Sequence, residues 1–131
     1  MSILGRCIPA GALAAIVAVI VCAGALVPAW SRTPTREIRL VTRDMTFYVE
    51  GIPAPNPVLE LRAGETIRIR LRNDDRGMTH DFAVPALKAA LGPLKWDDEE
   101  TLVFTAPGTP GSYEYVCRPH LLMMKGTLRV K

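Results

Sequence analysis

Beyond residue 30 the chain contains one cysteine, Cys117, and two histidines, His80 and His120, and all three fall inside two short motifs. The later motif runs Tyr113-Glu114-Tyr115-Val116-Cys117-Arg118-Pro119-His120-Leu121-Leu122-Met123-Met124-Lys125-Gly126-Thr127-Leu128. It places a thiol, an imidazole and a thioether on one short loop between two apolar stretches. The earlier motif, Gly77-Met78-Thr79-His80-Asp81-Phe82, sets the other imidazole at the head of a strand-like run. A lone cysteine is most often a small buried hydrophobe. Here Cys117 has no second cysteine in its part of the chain to form a disulfide, so its company of imidazole and thioether points to metal ligation.

Thiolate, two imidazoles and a weak thioether form a trigonal set with a long axial methionine, the donor combination that suits copper. Sulfur favours the cuprous ion and imidazole the cupric ion, so a mixed set serves both states of a one-electron couple. Zinc takes four strong ligands in structural sites or keeps a water in catalytic ones, and a thioether fits neither pattern. A binuclear copper centre would need a second cysteine in the ligand loop, so the expected site is mononuclear. At this level either Met123 or Met124 could supply the thioether.

These donors need a rigid frame, and the periodicity supplies one. Thr66-Ile67-Arg68-Ile69-Arg70-Leu71-Arg72 alternates with period two, so Ile67, Ile69 and Leu71 share one face of a half-buried strand. Arg68, Arg70 and Arg72 then form a solvated face, paired with nearby acids rather than a docking patch. Further strands are expected at 38–41, 45–49, 58–62, 80–84, 101–105, 112–117 and 127–130, separated by turn chemistry at 51–57, 63–65, 73–77 and 107–111. Tyr113 and Tyr115 fall on one face of their strand as packing residues. Residues 85–91 read as a short helix, with Pro85 at its start, alanine-rich helix formers within it and Gly92 as its stop. Seven or eight short strands at this spacing make an all-β Greek-key sandwich.

The N-terminus is of another kind. No charged side chain occurs between Cys7 and Trp30, a run long enough for the roughly 20 apolar residues a membrane helix needs. Val27-Pro28-Ala29 also offers small residues where a signal peptide could be cut. Residues 1–30 are therefore a transmembrane anchor or a signal peptide, 31–36 a polar linker, and 37–131 the folded domain. Cys7 and Cys22 read as apolar membrane residues; a lipoprotein reading of Cys22 is disfavoured by the bulk of Val21. The formal charge of the 131 residues is only +3, which is no nucleic-acid footprint.

The C-terminal motif resembles the copper-binding loop of the plastocyanin and azurin family, the cupredoxins. Two residues separate Cys117 from His120, as in the plastocyanin form, and three separate His120 from Met124, as in the azurin form. The resemblance extends upstream through 57–73 and 77–82, and so over about 37–131. It implies a cupredoxin-like sandwich with one copper per chain, held by His80, Cys117, His120 and Met124. Met124 is preferred over Met123 because the family's axial methionine stands two residues before the glycine that opens the last strand, here Gly126. Asp81 departs from the asparagine that many relatives carry there. It could brace the ligand loop in the same way, although a carboxylate near the thiolate would lower the potential.

The resemblance further implies a one-electron carrier, not an enzyme, working outside the cytoplasm, in the periplasm or tethered to the inner membrane. Its partner would be a redox protein met at the His120 edge, where Leu121, Leu122 and Met123 either form an exposed apolar collar or turn partly inward. The competing reading is copper delivery to a copper enzyme, with Met78, Met123 and Met124 making a softer site.

Overall fold

The computed structural model describes Thr33, Pro34 and residues 36–131, so the N-terminal anchor or signal segment expected at 1–30 lies outside the described residues. Among the described residues no helix is long and apolar enough to cross a membrane. Nine strands among the described residues form two mixed sheets.

The first sheet joins β1 (Arg36–Arg43), β2 (Thr46–Val49), β4 (Thr66–Asn73) and β7 (Glu99–Thr105) in the order β2-β1-β4-β7. The second joins β3 (Leu59–Leu61), β5 (His80–Val84), β6 (Ala89–Leu94), β8 (Gly111–Val116) and β9 (Lys125–Val130) in the order β3-β9-β8-β5-β6. β1 runs parallel to β4, and β3 parallel to β9, while the other pairings are antiparallel. Each parallel pair requires a connection that leaves the sheet and returns, so the chain repeatedly crosses between sheets. Those crossings bring β5 and β8, distant in sequence, into one sheet.

The alternation in β4 is realised: Ile67, Ile69 and Leu71 are fully buried while Arg68 is exposed and Arg70 and Arg72 are half-buried. The arginine face is an ion-pair ladder, with Arg68 on Glu37, Arg70 on Glu99 and Arg72 on Asp74. Between the sheets lies one apolar core, to which β1, β2, β4, β5, β8 and β9 all contribute. It includes a ring cluster formed by Phe47, Phe82 of β5 and Tyr115. Phe47 meets Phe82 and Tyr115 edge-on at centroid distances of 5.9 and 5.4 Å, and Phe82 stacks on Tyr115 at 5.3 Å, the offset and edge-to-face arrangements that aromatic quadrupoles favour. Tyr115 keeps its hydroxyl satisfied by donating to the Pro57 carbonyl at 2.6 Å.

The expected helix at 85–91 is not there. Only a single 3₁₀ turn, Pro85–Leu87, forms, and Lys88 turns the chain through the left-handed region so that β6 pairs back onto β5. Helix propensity in the alanine-rich run is a matter of tenths of a kcal/mol per residue. Pairing satisfies the backbone of β5 along a strand that is buried throughout, and that gain is larger. Gly92 is not a helix stop either: it has φ of +95°, and a Cβ there would stand 3.0 Å from the Asp81 Cβ. A glycine is needed because β6 passes tightly against the residue after His80.

Gly126 faces Tyr115 across the β8–β9 ladder, and any Cβ at that position would fall within the tyrosine ring. Gly126→Ala should therefore cost about 1–3 kcal/mol or more through overpacking, read as a lowered urea midpoint. Gly108→Ala, which points into open space, should stay within about 0.5 kcal/mol of the parent. Equal midpoints for the two variants would contradict the packing assigned to Tyr115.

Candidate metal centre

Cys117 directly follows β8 and His80 begins β5, and these two antiparallel neighbours bring the residues to the same end of the sheet. A register shift in the β5–β6 pairing lies between His80 and Phe82. Such irregularities re-aim side chains at strand ends. Here the shift lets His80 and the Asp81 backbone both face Cys117.

After Cys117 the chain makes one 3₁₀ turn, Arg118–His120, with Pro119 in its first positions. The His120 N–H donates to the Cys117 carbonyl at 3.0 Å, and the N–H groups of Met123 and Met124 donate to the His120 carbonyl at 3.0 and 2.9 Å. The Cys117 N–H donates to the Met124 carbonyl at 2.9 Å. The loop is thus closed on itself before β9 starts.

Within it, the Cys117 Sγ stands 3.6 Å from His80 Nδ1 and 3.5 Å from His120 Nδ1, and the three donor atoms all lie within 4.8 Å of one another. The two rings approach at a centroid distance of 4.9 Å. Their mutual closeness means that His80, Cys117 and His120 together could hold one metal ion. The donor set, one sulfur and two imidazole nitrogens, suits copper.

Burial separates the two methionines. Met124 is fully enclosed in the core cluster that contains Cys117, whereas Met123 is 58% exposed. His80 and Cys117 are fully buried and His120 is half-buried. Burial holds His80 below the ordinary histidine range, outweighing the upward pull of the Asp75 carboxylate. The imidazole is therefore neutral and able to ligate at neutral pH. Burial likewise pushes the Cys117 thiol up, against the downward pull of the N–H donors of Asp81 and His120.

Asp81 does brace the loop. Its N–H points to the Cys117 sulfur at 3.5 Å, and its carboxylate accepts both the N–H and the Nε of Arg118 at 2.7 Å each. The charge that would lower the potential therefore has a guanidinium beside it.

Three supporting residues escaped the sequence reading, which took them for ordinary turn formers. The Asp75 carboxylate accepts from His80 Nε2 at 2.8 Å. Buried Asn73 uses its whole amide: Oδ1 accepts from the Thr42 hydroxyl and the Asp75 N–H at 2.9 and 2.8 Å, and Nδ2 donates to the carbonyls of Met78 and Leu94 at 2.9 Å each. Asn56 accepts from the Phe47 N–H and donates to the Met123 carbonyl, both at 3.1 Å, latching the ligand loop to β2. The available signal was position: Asn73-Asp74-Asp75 immediately precedes the first histidine motif. Leu121, Leu122 and Met123 all face solvent, Leu122 at 95% exposure, so the collar next to His120 is open and none of the three turns inward to cap the core.

This geometry agrees with comparisons to known proteins. Residues 94–131 match the family described as copper binding proteins, plastocyanin/azurin family. The fold is similar to that of auracyanin B, at 21% identity and a TM-score of 0.63 over 77% of this chain and 92% of that one. Reduced rusticyanin gives 24% identity and a TM-score of 0.54 over 76% and 82% of the two chains. Reduced auracyanin from the photosynthetic bacterium Roseiflexus castenholzii gives 19% and 0.57 over 76% and 99%. No curated protein matches. The mixed two-sheet body is thus similar in fold to auracyanin and rusticyanin, and the His-Cys-His cluster lies at one end of it. The C-terminal part of the chain is similar to that copper-binding family, and His80, Cys117 and His120 form a donor group able to hold one metal ion.

Asn73→Ala should cost about 2–4 kcal/mol, because it leaves four polar groups around a buried site without their partner. Thr42→Val, which removes one of those bonds, should cost about 1 kcal/mol. Chemical denaturation of the metal-free protein measures both, and equal small losses would show that Asn73 does not hold the loop before β5.

Proposed function

We propose that the protein is a mononuclear type 1 copper protein that carries single electrons outside the cytoplasm, with His80, Cys117, His120 and Met124 as its ligands. The observation that carries this reading is the convergence of the Cys117 sulfur and two imidazole Nδ1 atoms, at 3.5 and 3.6 Å, inside a rigid sheet frame. Copper held there would supply a one-electron couple. A frame that resists rearrangement keeps the coordination nearly constant between the two states, which suits electron transfer rather than transformation of a substrate.

Met124 would supply the thioether ligand because it is the inward-facing methionine of the pair. The half-buried His120 beside the open Leu121, Leu122 and Met123 surface is the route for the electron to a partner protein. The apolar run between Cys7 and Trp30 supports export, and tethering to the inner membrane where it is retained. Delivery of copper to an enzyme is less well supported: a donor that hands on its metal needs an open site, and His80, Cys117 and Met124 are fully enclosed.

Cupric ion added to the full chain should produce an intense thiolate charge-transfer band that Cys117→Ser abolishes. A colourless product, or colour persisting in that variant, would defeat the assignment. Met124→Leu should keep the band and raise the reduction potential by removing the thioether, while Met123→Leu leaves the potential where it was. The opposite pattern would move the thioether role to Met123.

Copper binding should also depend on pH in a defined direction. The buried Cys117 thiol holds its proton above the usual thiol range, so cupric ion must displace that proton. Lowering the pH favours the protonated, metal-free form, and apparent affinity falls. Competition against a chelator at several pH values measures this, and an affinity flat across the neutral range would contradict thiolate ligation.

A further inference from the structure

The loop between β4 and β5 carries a carboxylate with three N–H donors. Asp75 Oδ2 accepts from His80 Nε2 at 2.8 Å and from the Met45 N–H at 2.9 Å, and Oδ1 accepts from the Asp44 N–H at 2.6 Å. Asp44 and Met45 are the two residues that turn β1 into β2, and both have positive φ, 50° and 57°. A two-residue hairpin with both centres left-handed normally uses Asn-Gly or Asp-Gly, and methionine is costly in that region. The carboxylate receives both strained N–H groups and so fixes the turn against the histidine.

His80 is fully buried, with Nδ1 toward Cys117 and Nε2 on Asp75, so its two ring nitrogens are committed to opposite sides. The Asp75 position is itself set by its N–H donating to Asn73 Oδ1. The other charged group packed next to His80, Asp81, is neutralised by Arg118, and His120 faces it across the sulfur. Asp75 is thus the carboxylate that acts on this imidazole.

We propose that Asp75 is a positioning residue for the metal centre: it clamps Nε2–H of His80, presents Nδ1 to the metal and, by making the imidazole a stronger donor, biases bound copper toward the cupric state. This rests on the copper reading above. A carboxylate on the far nitrogen of a ligating histidine fixes its tautomer and raises its basicity. Electron donation stabilises the higher charge more than the lower, so the reduction potential is held down.

The test uses the full chain in three measurements. Nitrogen-15 NMR of the metal-free parent should find His80 as the Nε2–H tautomer; the Nδ1–H tautomer would overturn the proposal without any variant having to fold. Copper-loaded Asp75→Asn should keep the thiolate band but lose roughly 10–100-fold in cupric affinity, with a smaller loss for cuprous ion. Each tenfold difference between those losses raises the potential by about 59 mV. A variant that melts earlier but keeps the parent potential would reduce Asp75 to a hairpin clamp and overturn the electronic role. Absence of the band in the parent would sink the copper reading itself, whereas a normal band with an unmoved potential in Asp75→Asn would sink only this inference.

Discussion

The structure turns on keeping a thiol and one imidazole out of water, with a second, half-buried imidazole within a few ångströms of them. Each of these groups would be better solvated apart, and burial of unpaired polar groups costs several kcal/mol. The fold meets that cost with directed partners. The Cys117 sulfur receives the Asp81 N–H, His80 is held by Asp75, and the loop from Cys117 to Met124 closes on its own backbone. Remove those bonds and an apolar core would be more stable without the donors than with them.

That requirement explains the topology around the site. β5 is buried at every residue, so it needs neighbours on both edges, and β8 and β6 supply them. β8 brings Cys117; β6 passes so tightly that only glycine fits at position 92. The aromatic cluster of Phe47, Phe82 and Tyr115 fills part of the core that contains Cys117 with rings that do not compete as ligands. Rigidity at the site is therefore a property of the packing beneath it as much as of the loop itself.

How much of this could be read from the chain depends on the range over which each signal acts. The donor residues were legible because their types are rare in the folded part and their spacing is local. β4 was legible because its alternation is a two-residue pattern enforced by one buried face. β6 was not: Ala86, Leu87, Lys88, Ala89 and Ala90 look helical over a short window, and what overrides them is the edge of β5, which only the folded chain provides. Asp75 was hidden for a related reason. Its neighbours Asn73 and Asp74 have the composition of any turn, and its role appears only when the β1–β2 hairpin and His80 arrive from either side.

The same contrast distinguishes the two aspartates near the donors, of which the sequence pointed to Asp81 and hid Asp75. Asp81 lies against a guanidinium and a backbone N–H, so its charge is spent on holding the ligand loop. The Asp75 carboxyl is pushed up by burial, yet the N–H groups of Met45, Asp44 and His80 hold it below the ordinary carboxylate range, and it stays charged with no cation as its main partner. A carboxylate compensated by dipoles rather than by a counter-charge still exerts its field on the imidazole it touches. Two acidic residues beside the donors thus perform different work, one mechanical and one electronic, because of what else each of them bonds.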